Sequence, residues 1–167
     1  MFELHLYSLE NSLALGRVLA RCVQEDELLR CILLRGELGS GKTSLVRFLV
    51  EALPGGVEAE VSSPSFTLCN SYPVNPPILH CDLYRTAGAL PEELDEALDT
   101  GRELCLVEWA EYLPPALLPK DFLDIKICLC DICRIVQIRR HGGHGQNSME
   151  LFASLCADFK LTVVDKI

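Results

Sequence analysis

The chain has 167 residues, 49% of them hydrophobic, which is the size of one ordinary domain and enough apolar material for a single packed core. Its formal net charge of −9 is the wrong sign for a protein that grips bare nucleic acid by releasing counterions, so any role on nucleic acid is expected to be indirect, through partners. No apolar run reaches the ~18 residues that a membrane span needs, and residues 1–11 (MFELHLYSLEN) lack the basic start and long apolar stretch of a signal peptide. The expectation is a cytoplasmic protein with no membrane contact.

Glu3 to Tyr7 alternates in polarity and predicts a short, half-buried strand. Ser8 and the Asn11-Ser12 pair offer caps for a helix, in which Leu13, Leu15, Val18, Leu19, Cys22 and Val23 recur at helical spacing through about Gln24. Leu28 to Leu34, apolar except for Arg30, is short and gives way to Gly36, as a buried parallel strand would. Past Thr43, the set Leu45, Val46, Leu49 and Val50 has helical period, and Pro54-Gly55-Gly56 ends it. Pro77 to Asp82 and Leu104 to Trp109 read as further buried strands, separated by an acidic helical stretch from Pro91 to Leu98. Phe122 to Cys130 and Arg134 to Arg140 alternate openly and lie near enough to pair as a hairpin. A glycine-rich break at residues 141–145 and a last amphipathic helix from Met149 to Phe159 complete the chain. This order predicts one α/β domain over residues 1–167, and with the loop Gly36-Glu-Leu-Gly-Ser-Gly-Lys-Thr43 (G-x-x-x-x-G-K-[ST]) set between the second strand and the second helix it predicts a P-loop NTPase-like layered fold with a central mostly parallel sheet, a late antiparallel hairpin and flanking helices.

The chemistry sits between the second strand and the second helix, where Gly36-Glu-Leu-Gly-Ser-Gly-Lys-Thr43 matches G-x-x-x-x-G-K-[ST] in full. Glycines 36, 39 and 41 let the backbone turn its amides inward, and the helix N-terminus adds the positive end of a dipole, so the loop suits phosphate. Gly36, Glu37, Leu38, Gly39, Ser40, Gly41, Lys42, Thr43 and Ser44 are the expected nucleotide cradle. Lys42 is expected to reach the β- and γ-phosphates and Thr43 to ligate Mg²⁺. Such a site also needs a carboxylate at the end of a neighbouring strand, and two candidates fit. Asp82 and Glu108 each close an apolar strand at its carboxyl end, where α/β sheets form their ligand crevice. The residues alone leave their ranking open. The guanine-reading N-K-x-D pattern and the D-x-x-G switch pattern are both missing, which favours ATP over GTP.

The nine cysteines lie mostly in apolar runs such as Cys31-Ile-Leu-Leu34 and are expected to be reduced packing residues. Cys128, Cys130, Cys133, His141 and His144 fall within seventeen residues and are ligand types that zinc favours. Yet Cys128 and Cys130 are two apart on one strand and no second well-spaced pair follows, so the cluster reads as a cysteine-rich hairpin.

Beyond the P-loop, Ser63-Pro-Ser-Phe-Thr-Leu68, His80-Cys-Asp-Leu-Tyr-Arg85, Pro91-Glu-Glu-Leu94 and Val107-Glu-Trp-Ala-Glu111 follow in order. With these blocks the chain resembles the TsaE family over almost its whole length, the P-loop ATPases that support synthesis of N6-threonylcarbamoyladenosine on tRNA. The resemblance implies an ATPase that acts on a TsaB–TsaD heterodimer and meets tRNA only through that complex. It implies Thr43 as Mg²⁺ ligand, Glu108 as the Walker B-type acid and Asp82 in the nucleotide crevice. Ser63 to Thr67 resembles the family's switch-like loop, and Arg134 the family's arginine after the hairpin turn, as either a nucleotide contact or a surface arginine. Trp109 belongs to the motif as either a core aromatic or a nucleotide or partner contact. Ser65 stands where threonine is usual, and Cys81 replaces an aromatic. The competing readings are a small-molecule P-loop kinase, which would need an acceptor pocket and a basic lid, and a nucleotide-binding regulatory module without useful hydrolysis.

Overall fold

The computed structural model describes residues 1–86, 89–142 and 145–166. Strand β1 (Phe2–Leu6) leads through Ser8 into α1 (Leu9–Glu25). Ser8 is the cap that forms: its Oγ accepts from the Asn11 N–H at 3.2 Å, while Asn11 Oδ1 accepts from the Tyr7 N–H at 3.0 Å. β2 (Cys31–Arg35), the glycine loop and α2 (Lys42–Ala52) follow in the expected order. Next come β3 (Cys69–Tyr72), β4 (Ile78–Asp82), α3 (Glu92–Thr100) and β5 (Leu104–Glu108). β6 (Phe122–Leu129) and β7 (Arg134–His141) form the hairpin, and α4 (Gly145–Asp158) and β8 (Val163–Lys166) close the chain.

The eight strands among the described residues join one sheet in the order β3-β4-β5-β2-β6-β7-β1-β8. Its middle, β4-β5-β2-β6, is parallel, and antiparallel pairing extends it on both sides. Helices α1, α2 and α4 cover one face, packing on Leu34, Leu106, Ile125 and Ile138, while α3 and the turn near Leu113 cover β2, β4 and β5 on the other. Double coverage explains why those three strands read as largely apolar runs, β4 interrupted by the buried His80. β1, β6 and β7 alternate because their second face is polar, with Arg35 paired to Asp124 at 2.8 Å across it.

Two strands were not legible. β3 is a short polar edge segment, CNSY, and β8 pairs only with β1, so neither carries an apolar period of its own. The final helix begins at Gly145, earlier than its apolar residues mark, and β7 keeps His141; Gly143 and His144 lie outside the described residues.

The cysteine expectation needs correction. Cys22, Cys31, Cys105 and Cys156 are buried free thiols, and burial pushes Cys22, Cys105 and Cys156 up to about 12 and Cys31 well above the ordinary value. However, Cys69 pairs with Cys81 and Cys130 with Cys133 in disulfides. The first pair stands directly opposite across β3 and β4, with Cα atoms 4.2 Å apart, a proximity hidden as long as β3 was unseen. The second closes the hairpin turn, which removes Cys130 and Cys133 from the cluster weighed for zinc; His144 of that cluster lies outside the described residues. No group of three or more His, Cys, Asp or Glu side chains placed to hold a metal occurs among the described residues. Nor is any described helix long and apolar enough to cross a membrane.

Helix α1 packs tightly on α2 at Gly16, where a Cβ would stand 2.5 Å from Phe48 Cβ and 2.8 Å from the Phe48 carbonyl carbon. A glycine inside an exposed helix costs about 1 kcal/mol relative to alanine, but here the backbone of α2 occupies the space. Gly16→Ala is therefore expected to lower stability by about 1–3 kcal/mol in urea unfolding; a stabilised variant would show that the helices can separate freely.

Candidate functional site

Because β2, β4 and β5 are parallel neighbours, their carboxyl ends bring three chain segments to one edge of the sheet. Glu108 is the register partner of both Asp82 on β4 and Leu34 on β2, two residues before Gly36. Over this edge lies a cleft of about 520 Å³ lined by P-loop residues, Ser63, Ser65, Asp82, Tyr84, Arg85, Glu108, Trp109 and Arg134.

The loop between β2 and α2 takes left-handed backbone at Gly36 (φ 140), Gly39 (φ 77) and Gly41 (φ 108), and Gly41 is the N-cap of α2. Gly36 is further constrained, because a Cβ there would collide with the Ile127 carbonyl of β6. Leu38, Gly39, Gly41, Lys42, Thr43 and Ser44 line the cleft itself. Gly36, Glu37 and Ser40 instead act through their carbonyls: the Lys42 ammonium donates to Gly36 O at 2.8 Å and Glu37 O at 3.0 Å, and Arg134 Nε donates to Ser40 O at 2.9 Å.

Lys42 sits 3.9 Å above the centre of the Trp109 ring, which in turn packs on Tyr84 with ring centres 4.6 Å apart. Trp109 thus belongs to the wall of the cleft, in left-handed backbone (φ 56). Burial pulls the Lys42 ammonium below its ordinary pKa, and the carboxylates of Glu108, Glu111 and Asp82 oppose that.

Each candidate acid has a definite partner. Thr43 Oγ1 donates to Glu108 Oε2 at 3.0 Å, so hydroxyl and carboxylate oxygens meet at the foot of α2. Glu108 Oε1 is 2.9 Å from His80 Nε2, with the two side chains 3% and 0% exposed. The bond joins two side chains that are both shut off from water, so each supplies the other's polar partner. Asp82 Oδ2 accepts from Ser65 Oγ at 2.8 Å and Oδ1 from the Tyr84 N–H at 2.9 Å, and Ser65 Oγ lies 2.7 Å from Ser63 Oγ. The loop from Ser63 to Thr67 is therefore tied to the end of β4, and the Arg85 guanidinium lies 4.8 Å over the ring of Phe66 in the same loop.

A small pocket adjoins the P-loop on its far side, lined by Leu6, Leu9, Ser12, Phe48, Ile127, Val136, Ser44 and Arg134. The sequence motifs single out none of its apolar residues as site residues. His80 also escaped notice as a site residue, although a histidine inside a fully buried strand must find a polar partner, and that was the available signal.

A family model described as Threonylcarbamoyl adenosine biosynthesis protein TsaE matches residues 6–134. The chain belongs to the TsaE family. Among curated proteins named tRNA threonylcarbamoyladenosine biosynthesis protein TsaE, that of Streptomyces coelicolor is 40% identical over 58% of this chain and 66% of its own. That of Haemophilus influenzae is 32% identical over 74% and 78%, and that of Aquifex aeolicus 34% over 73% and 88%. Among solved structures, YdiB from Bacillus subtilis superposes with a TM-score of 0.63 at 25% identity, covering 95% of this chain and 93% of its own. The α/β fold read from the sequence is the fold of this TsaE-family chain.

The buried His80–Glu108 contact makes a direct prediction. His80→Leu leaves a carboxylate oxygen buried without a donor and is expected to cost about 3 kcal/mol in urea unfolding. A double-mutant cycle with Glu108→Ala should show coupling above about 1 kcal/mol. Additive losses would mean that the pair acts as two unrelated residues.

Proposed function

We propose that this chain is the Mg²⁺-dependent ATPase of the threonylcarbamoyladenosine pathway, a cytoplasmic protein whose ATP cycle resets a TsaB–TsaD heterodimer. The observation that carries this is the convergence of Lys42, the Thr43–Glu108 pair and the Asp82–Ser65 pair on one cleft at the N-terminus of α2. The glycine loop and the α2 N-terminus bind the phosphates through amides and dipole, and Lys42 turns its ammonium onto the β- and γ-oxygens. The apolar pocket behind Gly41 and Ser44 takes the nucleoside end, with Leu9 and Phe48 as walls.

Thr43 and Glu108 would hold Mg²⁺, a fit supported by hard oxygen donors 3.0 Å apart beside the phosphate cradle. When bound, that ion neutralises charge on the phosphate oxygens. Asp82, held by Ser65 and the Tyr84 N–H, orients the attacking water, and the hydroxyls of Ser63 and Ser65 place the switch-like loop against the γ-phosphate. Arg85 and Arg134 add positive charge at the rim.

Two features support a protein partner over a small acceptor. Leu38, Phe66, Tyr84 and Tyr112 are exposed, three of them lining the cleft or sitting on its loop. The net charge of −9 keeps tRNA contact with the partners. Turnover by the chain alone is expected to be slow, since P-loop enzymes gain much of their rate from charge that a partner completes.

The test is ATP hydrolysis in Mg²⁺ by the purified chain, alone and with TsaB–TsaD. Stimulation by the heterodimer is expected; partner-independent phosphate transfer to a small molecule would replace this reading with a kinase. Lys42→Ala should abolish turnover, a loss of at least about 100-fold, and full activity in that variant would sink the site assignment. Glu108→Ala should retain ATP binding while hydrolysis falls about 100-fold or more; an unchanged rate removes Glu108 from the mechanism.

A further inference from the structure

Nucleotide chemistry leaves one feature of the β6–β7 hairpin unused. Cys130-Asp-Ile-Cys133 is a C-x-x-C turn closed by a disulfide, with the Cys130 N–H donating to Cys133 O at 3.1 Å. Cys130, Asp131 and Ile132 are exposed and Cys133 is half-buried, so a small dithiol reaches the sulfurs without unfolding the sheet. The other disulfide is shielded, because Cys81 is fully buried within β4. Exposed disulfides between closely spaced cysteines are the exchangeable kind, since the second thiol stands ready to re-form the bond.

What this turn governs follows from its neighbour. Arg134, the residue after Cys133, donates from Nε to Ser40 O at 2.9 Å, and its Nε would lie 3.3 Å from a Cβ at Gly41. The same hairpin seats Gly36 against the Ile127 carbonyl. The P-loop therefore rests on the hairpin at both of its ends.

We propose that Cys130–Cys133 is a thiol–disulfide exchange site whose redox state sets how firmly Arg134 holds the P-loop. Opening consumes one dithiol. Its first thiolate attacks one sulfur of the pair and displaces the other; its second thiolate then attacks the mixed disulfide and leaves in a cyclic disulfide. Two electrons and two protons end on Cys130 and Cys133. The turn then loses its cross-link, the Arg134 end of β7 frays, and the P-loop backbone loosens.

The experiment compares the full chain oxidised with glutathione disulfide and reduced with dithiothreitol, following amide hydrogen exchange over residues 36–45 and 125–136. Both segments should exchange faster after reduction, and ATP affinity, which rests on the nucleotide reading above, should fall about fivefold. Cys130→Ser/Cys133→Ser should behave as the reduced form under both conditions. Alkylation of both cysteines in the oxidised protein would overturn the proposal, as would identical P-loop exchange in the two forms. A redox response that survives in the double variant would overturn it too, assigning the effect to Cys69–Cys81. ATP binding absent from both forms would sink the nucleotide reading instead, and the exchange comparison would still decide the role of the hairpin.

Discussion

Glu108 is a carboxylate placed where water scarcely reaches, and the arrangement around it depends on how that charge is satisfied. An unpaired buried carboxylate is too costly to persist. Here its two oxygens are divided between His80 on β4 and Thr43 on α2, at 2.9 and 3.0 Å. One side chain thereby fixes the end of β5 to the neighbouring strand and to the helix that begins at the P-loop. Since Thr43 directly follows Lys42, the same bond sets where the lysine can reach.

The other side of the P-loop is settled by steric fit. Gly36 has no room for a side chain beside β6, and Ser40 and Gly41 lie beneath Arg134 from β7. The loop makes its left-handed turns at Gly36, Gly39 and Gly41 outside any helix or strand, and the hairpin holds it at both ends. Lys42 reflects the resulting electrostatic balance: burial weakens its hold on the proton, while Glu108, Glu111 and Asp82 strengthen it. A polyanion entering this cleft would meet a cation already partly stripped of water and held close to carboxylates, a setting in which small changes of position alter large electrostatic energies.

The family context is consistent with this division of labour. The P-loop, the serine-bearing loop, the β4 end and the β5 end are separate sequence blocks, and each supplies one wall of the cleft. Resemblance to TsaE proteins rested on those same blocks in the same order, and the match to that family spans residues 6–134. The part beyond it, from β7 onward, is covalently ordinary but structurally needed, because β7 and β8 flank β1 and complete the sheet.

The sequence by itself determined the parts whose physics is local. Short apolar runs marked β2, β4 and β5, helical periods marked α1 and α2, and the spacing of glycines, lysine and threonine marked the phosphate loop, because each pattern acts within a few neighbouring residues. Only the tertiary structure decided what depends on register across strands. Polar β3 shows no period, so nothing local placed Cys69 opposite Cys81. His80 reaches Glu108 only because β4 and β5 run parallel with Asp82 beside Glu108. Arg134 reaches Ser40 across 94 residues of sequence because the hairpin folds back on the loop. Those pairings are long-range, and a long-range contact leaves no periodic trace in the segments that make it.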